Sequence, residues 1–369
     1  MSKFKCLFVV NGLGMGNSTR CHAIMQKLYG HADVHVITSG NGLLYMREVK
    51  EIASLSRMDG FFYANAKGKV SVGKTLLSAG ELMRLAWRKS NQLKAVIDKI
   101  KPDLAVCDSE YAILPLKRAG IPVIAFNNSD VVTSLYLGGK NLPGDIRAQF
   151  WAVEMMDYLF HKSFFDLVIS PSAVNLPVNN ERFRRVGLVV RNEVEHEAKK
   201  SKEGGFAPPN TMKKVCVMLS GSVFASKLEG ALNRLPYEVD VVGREGASEG
   251  AVKYHGKLLN SVPMLASADI LVINGGFSAV SEALALNKPT IIIPVPGHAE
   301  QYINGTIIEK LGRGFIARET DVVELLARLH NSNSWGAIKP WGPHIGIDGA
   351  AQAASEILKF HDQRKLLGR

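Results

Sequence analysis

Residues 274–306, NGGFSAVSEALALNKPTIIIPVPGHAEQYINGT, hold the densest set of groups able to grip phosphate and hydroxyls. Gly275 and Gly276 stand between an apolar run, ADILVI, and a helical pattern. Glycines at such a corner let the backbone approach a ligand, and the first free N–H groups of the helix then face outward. The helix dipole adds roughly half a positive charge at that end, which makes an anion site. Ser278 can cap the helix or bond a phosphate oxygen. Glu282, about one turn on, is placed to accept from a ribose diol, as the acid of dinucleotide folds does. A tight βα turn with a solvated Glu282 is the plainer reading of the same residues. PVPGHAEQYIN, just past the next strand, adds His298, Glu300, Gln301 and Asn304 where open α/β sheets bind ligands. His298 reads either as a surface histidine or as a donor contact.

A second cluster opens the chain. In NGLGMGNSTR, residues 11–20, Gly12, Gly14 and Gly16 loosely resemble a dinucleotide loop. The second strand-like run, DVHVITSG, does not end in an acid, so NAD binding is rejected. Gly14 and Gly16 are read instead as a phosphate or acceptor loop. Arg20 follows one turn later, suited to a phosphate or to an interior carboxylate. CDSE ends one apolar run with Asp108 and Glu110, and FNNSD ends the next with Asp130. Each is a candidate base if a hydroxyl must lose its proton, and each also reads as a helix cap or loop acid.

These groups need a scaffold. Short apolar runs alternate with helical patterns through the first half: CLFVVNG, DVHVITSG, LAVCDS, IPVIAFNN and DLVISPS. That alternation predicts an α/β fold with parallel sheets covered on both faces. Leu82, Leu85, Leu93, Val96, Ile97 and Ile100 recur at three- and four-residue spacing and predict a helix near 78–100 with one buried face. The pattern restarts with KVCVMLSGS after RNEVEHEAKKSKEGGFAPPNTM, a charged and then Gly/Pro-rich stretch. The expected organisation is two doubly wound Rossmann-like domains facing a cleft. Residues 1–190 form an acceptor-side domain, 191–212 a linker, 213–345 a donor domain, and 346–369 a helix crossing back to the first domain. At 369 residues, two domains is also the natural expectation.

Hydrophobic residues make up 46% of the chain and charged residues 21%, a folded rather than disordered composition. No stretch of about 18 uncharged apolar residues appears, and the first residues show no signal-peptide cleavage pattern, so a cytoplasmic protein is expected. Cys6, Cys21, Cys107 and Cys216 lack paired spacing and read as reduced core residues. The net charge of +11 suits an anionic partner, but no nucleic-acid module is visible. Lys67, Lys69, Lys74, Arg84, Arg88 and Lys89, with Trp151, Tyr158, Phe160, Phe164 and Phe165 further on, could meet an anionic membrane surface on the cytoplasmic face, or could be a solvated face and ordinary core.

The run from Gly275 to Asn304 resembles the donor-site signature of GT-B glycosyltransferases, the group around the bacterial undecaprenyl-diphospho-muramoylpentapeptide N-acetylglucosaminyltransferase. The resemblance spans about 30 contiguous residues with fixed spacing between the glycine pair, Ser278, Glu282, the Glu300–Gln301 pair and Asn304. It implies that Gly275, Gly276 and Ser278 meet a diphosphate and Glu282 a ribose. Glu300 and Gln301 would bond the donor sugar, with Asn304 supporting their loop. Ser220, Gly221 and Ser222 of LSGS match a loop near the phosphates. The resemblance implies a metal-independent, inverting hexosyltransferase with no cofactor beyond its co-substrate, a nucleoside-diphosphate sugar, with a UDP-sugar the expectation from this family. The acceptor would be a glycan, a lipid or a small molecule. Relatives carry histidine where this chain has Asn17, which cannot take a proton at neutral pH. A catalytic role for Asn17, Asp108 or Glu110 therefore stays open. So do a non-hydrolysing UDP-sugar 2-epimerase, a non-catalytic nucleotide-sugar binder and self-association as a homodimer.

Overall fold

A computed structural model describes residues 3–60, 65–66, 69–70, 79–178, 180–204, 212–219, 228, 231–233, 235–331 and 346–366. The first strands and helices alternate as the apolar runs require. β1 (Phe4–Val10), α1 (Met15–Leu28), β2 (Ala32–Thr38), α2 (Gly40–Met46) and β3 (Ser54–Arg57) lead to a two-residue ribbon, β4 (Asn65–Ala66) with β5 (Lys69–Val70). Next come α3 (Ala79–Ile100), β6 (Leu104–Asp108), α4 (Leu114–Arg118), β7 (Val123–Phe126) and α5 (Ser129–Leu137). A helical segment over 147–164 includes a π turn, Phe150–Glu154, before α6 (Met155–Phe164). β8 (Leu167–Pro171) and β9 (Phe183–Val186) complete a seven-stranded sheet in the order β3-β2-β1-β6-β7-β8-β9, every pair parallel.

The charged segment after residue 191 is helical over α7 (Asn192–Gly204). A second sheet follows, built from β10 (Lys214–Met218), β11 (Glu238–Val242), β12 (Val252–Tyr254), β13 (Ile270–Ile273), β14 (Thr290–Ile292) and β15 (Gly314–Ile316). Its order is β12-β11-β10-β13-β14-β15, again parallel throughout. α8 (Val262–Ser267), α9 (Phe277–Ala285), α10 (Ala299–Lys310) and α11 (Val322–Asn331) belong to this half. α12 (Gly349–Leu366) packs its small face, Ala350, Ala353 and Ala354, into the core around β1 and α1. The fold is α/β with two Rossmann-like sheets. Both faces of each sheet are covered, so β1, β6 and β13 are buried end to end over their apolar cores.

Each sheet order reverses beside its first strand, between β1 and β6 and between β10 and β13. Crevices outside the carboxyl ends of strands at such reversals are where open α/β sheets bind ligands. The loops after β1, β6 and β13 therefore carry the candidate chemistry for a topological reason.

The expected buried face of α3 holds only in its second half. Leu93, Ile97 and Ile100 enter the core, whereas Leu85 is only partly covered, Met83 and Trp87 are exposed and the Leu82 side chain lies outside the described residues. All four cysteines are buried and free. Burial pushes the Cys21 and Cys107 thiols well up, which makes them inert packing groups at neutral pH. Among the described residues no helix is long and apolar enough to cross a membrane.

Candidate active site

Two glycine corners face each other across the cleft. After β1, the Asn11 side chain ties the turn, accepting from the Leu13 amide at 3.0 Å and donating to the Ser109 carbonyl at 3.0 Å. Gly12 has no room for a side chain, since a Cβ there would lie 1.7 Å from the Ser39 carbonyl oxygen. Gly14 is the N-cap of α1 and gives no side-chain cap. After β13, Asn274 is buried and donates to the Ile293 carbonyl at 3.0 Å, which fixes where the second corner begins. Gly276 is the N-cap of α9, also without a side-chain cap. The two corners touch: the Ser278 hydroxyl donates to the Gly16 carbonyl at 3.2 Å. Two uncapped helix N-termini thus converge in the crevice, a doubled version of the anion site that one helix provides.

The loop before α10 closes on the second corner. Asn304, fully buried, donates to the Gly275 carbonyl at 2.9 Å and to Glu300 Oε1 at 3.5 Å. Gln301 Oε1 accepts from the Val295 amide at 2.9 Å, so its side chain braces the PVPG loop. His298 Nδ1 is buried with no hydrogen-bond partner among the described residues, and burial pushes the imidazole down to about 4, so it is neutral at pH 7. Burial raises the Glu300 carboxyl, Arg20 across the cleft pulls it back, and Asp157 raises it again. Ser220, Gly221 and Ser222 lie outside the described residues.

Glu282 is not a solvated helix residue. It is buried, and both of its oxygens are held by Arg191, Nε–Oε1 at 2.8 Å and Nη2–Oε2 at 2.9 Å. Arg191 also donates to the Leu259 carbonyl and the Ser261 hydroxyl, stitching the start of α7 to the second domain. Glu282 keeps lone pairs for a further donor, but its first partner is this guanidinium.

The candidate bases on the other wall are spoken for. Asp108 is fully buried in a two-point pair with Arg20, Nε–Oδ2 at 2.6 Å, and also accepts from Cys21 and Ser109. The Arg20 guanidinium stands over the Phe126 ring at 5.4 Å. Burial opposes its charge, but pairing with Asp108 outweighs that and raises its proton affinity. Glu110 accepts from the buried Lys89 at 2.6 Å and from the Tyr111 and Ala112 amides. Lys89 is therefore not part of an exposed basic face. Lys67 and Lys74 lie outside the described residues, as does the Lys69 side chain, while Arg84 and Arg88 are exposed. Asp130 is held by Arg185 at 2.7 Å and by the Ser170 hydroxyl. The sequence could not tell these paired acids from free ones. Asn17 sits half-buried near the start of α1.

Glu110 is thus a structural acid in this geometry. Replacing Lys89 by Met and Glu110 by Gln together should change stability by no more than about 2 kcal/mol, because the buried charges go together while glutamine keeps an acceptor for the Tyr111 and Ala112 amides. Sugar transfer should persist. Loss of turnover in a folded double variant would restore Glu110 as a reacting group.

Sequence reading missed several groups that line the crevice. Asp157 accepts from Tyr111 at 2.7 Å and Asn127 at 3.0 Å and lies 3.2 Å from His161. Burial works against its charge, yet these donors outweigh it and hold the Asp157 carboxyl below its usual range. Gln149 and Glu154 reach the start of α10 from the first domain, and no motif announces them.

The model of glycosyl transferase family 1 matches residues 4–330. A Nocardioides UDP-N-acetylglucosamine--N-acetylmuramyl-(pentapeptide) pyrophosphoryl-undecaprenol N-acetylglucosamine transferase is 24% identical over 275 residues, 68% of each chain. An uncharacterized glycosyltransferase of Methanosarcina mazei is 24% identical over 336 residues, covering 84% of this chain and 85% of its own. Among solved structures, the calicheamicin glycosyltransferase CalG4 superposes with a TM-score of 0.63 at 18% identity, over 98% of both chains. The MurG of Acinetobacter baumannii gives 0.57 at 13% identity, over 97% of this chain and all of that one. These two likenesses establish a shared GT-B fold. The family match sets aside the epimerase and the non-catalytic binder, and the chain belongs to glycosyl transferase family 1, enzymes that transfer sugar.

Proposed function

We propose that the chain moves a hexose or N-acetylhexosamine from a UDP-sugar to an acceptor, with inversion and without a metal. One observation carries this reading: two uncapped helix N-termini meet through the Ser278–Gly16 bond, with the Glu300–Gln301 loop alongside. The diphosphate would lie between those helix ends, whose amides stabilise the charge that develops as it departs. Glu300 and Gln301 would bond the sugar, and Glu282 would meet the ribose with the acceptor capacity Arg191 leaves it. Several relatives are named as UDP-N-acetylglucosamine transferases, which supports the choice of nucleotide.

Asp108, Glu110 and Asp130 are each engaged by a cation, so none offers a free base. This favours an acceptor whose attacking oxygen arrives ionised, as on a lipid phosphate. Exposed Met83 and Trp87 beside Arg84 and Arg88 on α3 give such a lipid an apolar and basic landing. Transfer from UDP-N-acetylglucosamine should continue undiminished in excess chelator, and activity lost to chelator and restored by Mg²⁺ would defeat the metal-free reading. Vesicles rich in anionic lipid should sediment the protein in a salt-sensitive way; no sedimentation at low salt would remove the membrane acceptor.

A further inference from the structure

Helix α10 carries Glu300 and Gln301, yet it does not cap itself. Its N-cap, His298, provides no side-chain hydrogen bond to the first turn. The first domain provides it instead. Gln149 Oε1 accepts from the Ala299 amide at 2.9 Å, across 150 residues of sequence. Gln149 Nε2 donates to Glu154 Oε1 at 2.7 Å, so Glu154 holds the capping amide from behind, with its carboxyl close enough to Glu300 to feel its charge. The π turn explains how both side chains reach one spot. In an α-helix, residues five apart diverge around the axis, whereas the wider i→i+5 turn over Phe150–Glu154 brings positions 149 and 154 to one side. Ile146 and Phe150 of the first domain bury Ala299 between them, and Phe150 stacks on Tyr136.

We propose that Gln149 and Glu154 are positioning residues for the transfer: from the first domain Gln149, braced by Glu154, caps the first turn of α10, and so holds Glu300 and Gln301 against the donor sugar only when the cleft is closed. This rests on the donor reading above. The charges around the cap are Glu300 on α10, Asp157 one turn further along the 147–164 segment, and Arg20 on α1 with its partner Asp108. Burial first, and then the charge of Glu300, push the Glu154 carboxyl up to about 8 from its ordinary 4.5. A carboxyl raised on closure favours the closed form fully below about 4.5 and loses that contribution as pH rises through about 8. Near neutral pH, Glu154 therefore acts as a neutral carboxyl.

The test uses the full-length chain with Gln149→Ala, Glu154→Ala and Glu154→Gln. Without ligand, hydrogen exchange in the peptide spanning 296–304 should run about fivefold faster in Gln149→Ala, the loss expected of one cap. Unchanged exchange would overturn the cap. Binding of UDP-N-acetylglucosamine should weaken about fivefold in both alanine variants while UDP itself stays within about twofold, since its site lies on α1 and α9. Equal weakening of both ligands, or of neither, would overturn the positioning role. Glu154→Gln keeps the neutral acceptor, so it should bind the sugar nucleotide like the parent at low pH and lose the parent's decline between about pH 4.5 and about 8. A decline that persists in that variant would overturn the assignment of Glu154. A parent chain that binds neither ligand would overturn the donor reading and the positioning role with it, while the exchange arm still decides the cap.

Discussion

Glu282→Ala is expected to destabilise the second domain by about 3–5 kcal/mol, because it strands a buried guanidinium. Among the described residues, Arg191 would keep only the Leu259 carbonyl and the Ser261 hydroxyl, both at more than 3 Å, in a site almost closed to water. Burial opposes the Arg191 charge, and Glu282 is the partner that outweighs this and raises its proton affinity. The unfolding transition should fall by on the order of 10 °C. Glu282→Gln, which keeps the shape and one acceptor, should lose less. Removing both charges, with Arg191→Met and Glu282→Leu, should recover most of the loss, as replacement of buried pairs by apolar groups often does. The double variant also separates two roles. If Glu282 serves the ribose as well, UDP affinity stays weak after stability has returned. A Glu282→Ala protein that melts within about a degree of the parent would show that the pair does not hold this region together.

Gly275→Ala should cut sugar transfer by about a hundredfold, the scale at which a misplacement of about 1 Å is felt in an ordered site. A Cβ at Gly275 would stand 2.2 Å from the Gln301 carbonyl oxygen and 2.9 Å from its carbonyl carbon, and both are backbone atoms that no side-chain rotation can move. Relief requires α9 and α10 to part, which breaks the bond from Asn304 to the Gly275 carbonyl. It also carries Glu300 and Gln301 away from the corner where the diphosphate would sit. Overpacking of this kind costs about 1–3 kcal/mol of stability, so the protein should still fold and kcat/KM is the quantity to measure. Gly30→Ala, past the far end of α1, is the control, since a Cβ there meets nothing within 4 Å. Equal activity in the two variants would mean that the closeness of Gly275 to Gln301 does not matter to transfer.

Some of this architecture is written locally and some is not. The apolar runs CLFVV, LAVC and ILVI announce strands buried on both faces, and they are. Glycines at positions 275 and 276 after such a strand announce a close backbone corner, and Gln301 is what approaches it. In contrast, Asp108, Glu110 and Asp130 look alike in sequence, each an acid just past an apolar run. What each one does depends on a cation that the fold brings from elsewhere: Arg20 from 88 residues away, Lys89 from 21 and Arg185 from 55. The charged stretch after residue 191 reads as a linker because its composition is polar, yet it coils into a helix anchored by the Arg191–Glu282 pair.

The sequence alone therefore determined the class of fold, the strand ends where chemistry could gather and the donor signature, because periodicity, apolar runs and glycine corners act over a few neighbouring residues. Only the tertiary structure decided which acids are paired, that α10 is capped from the opposite domain and that Glu154 faces Glu300. The physical reason is range. A carboxylate's role is set by whichever charge or amide lies within a few ångströms, and here those partners come from distant parts of the chain.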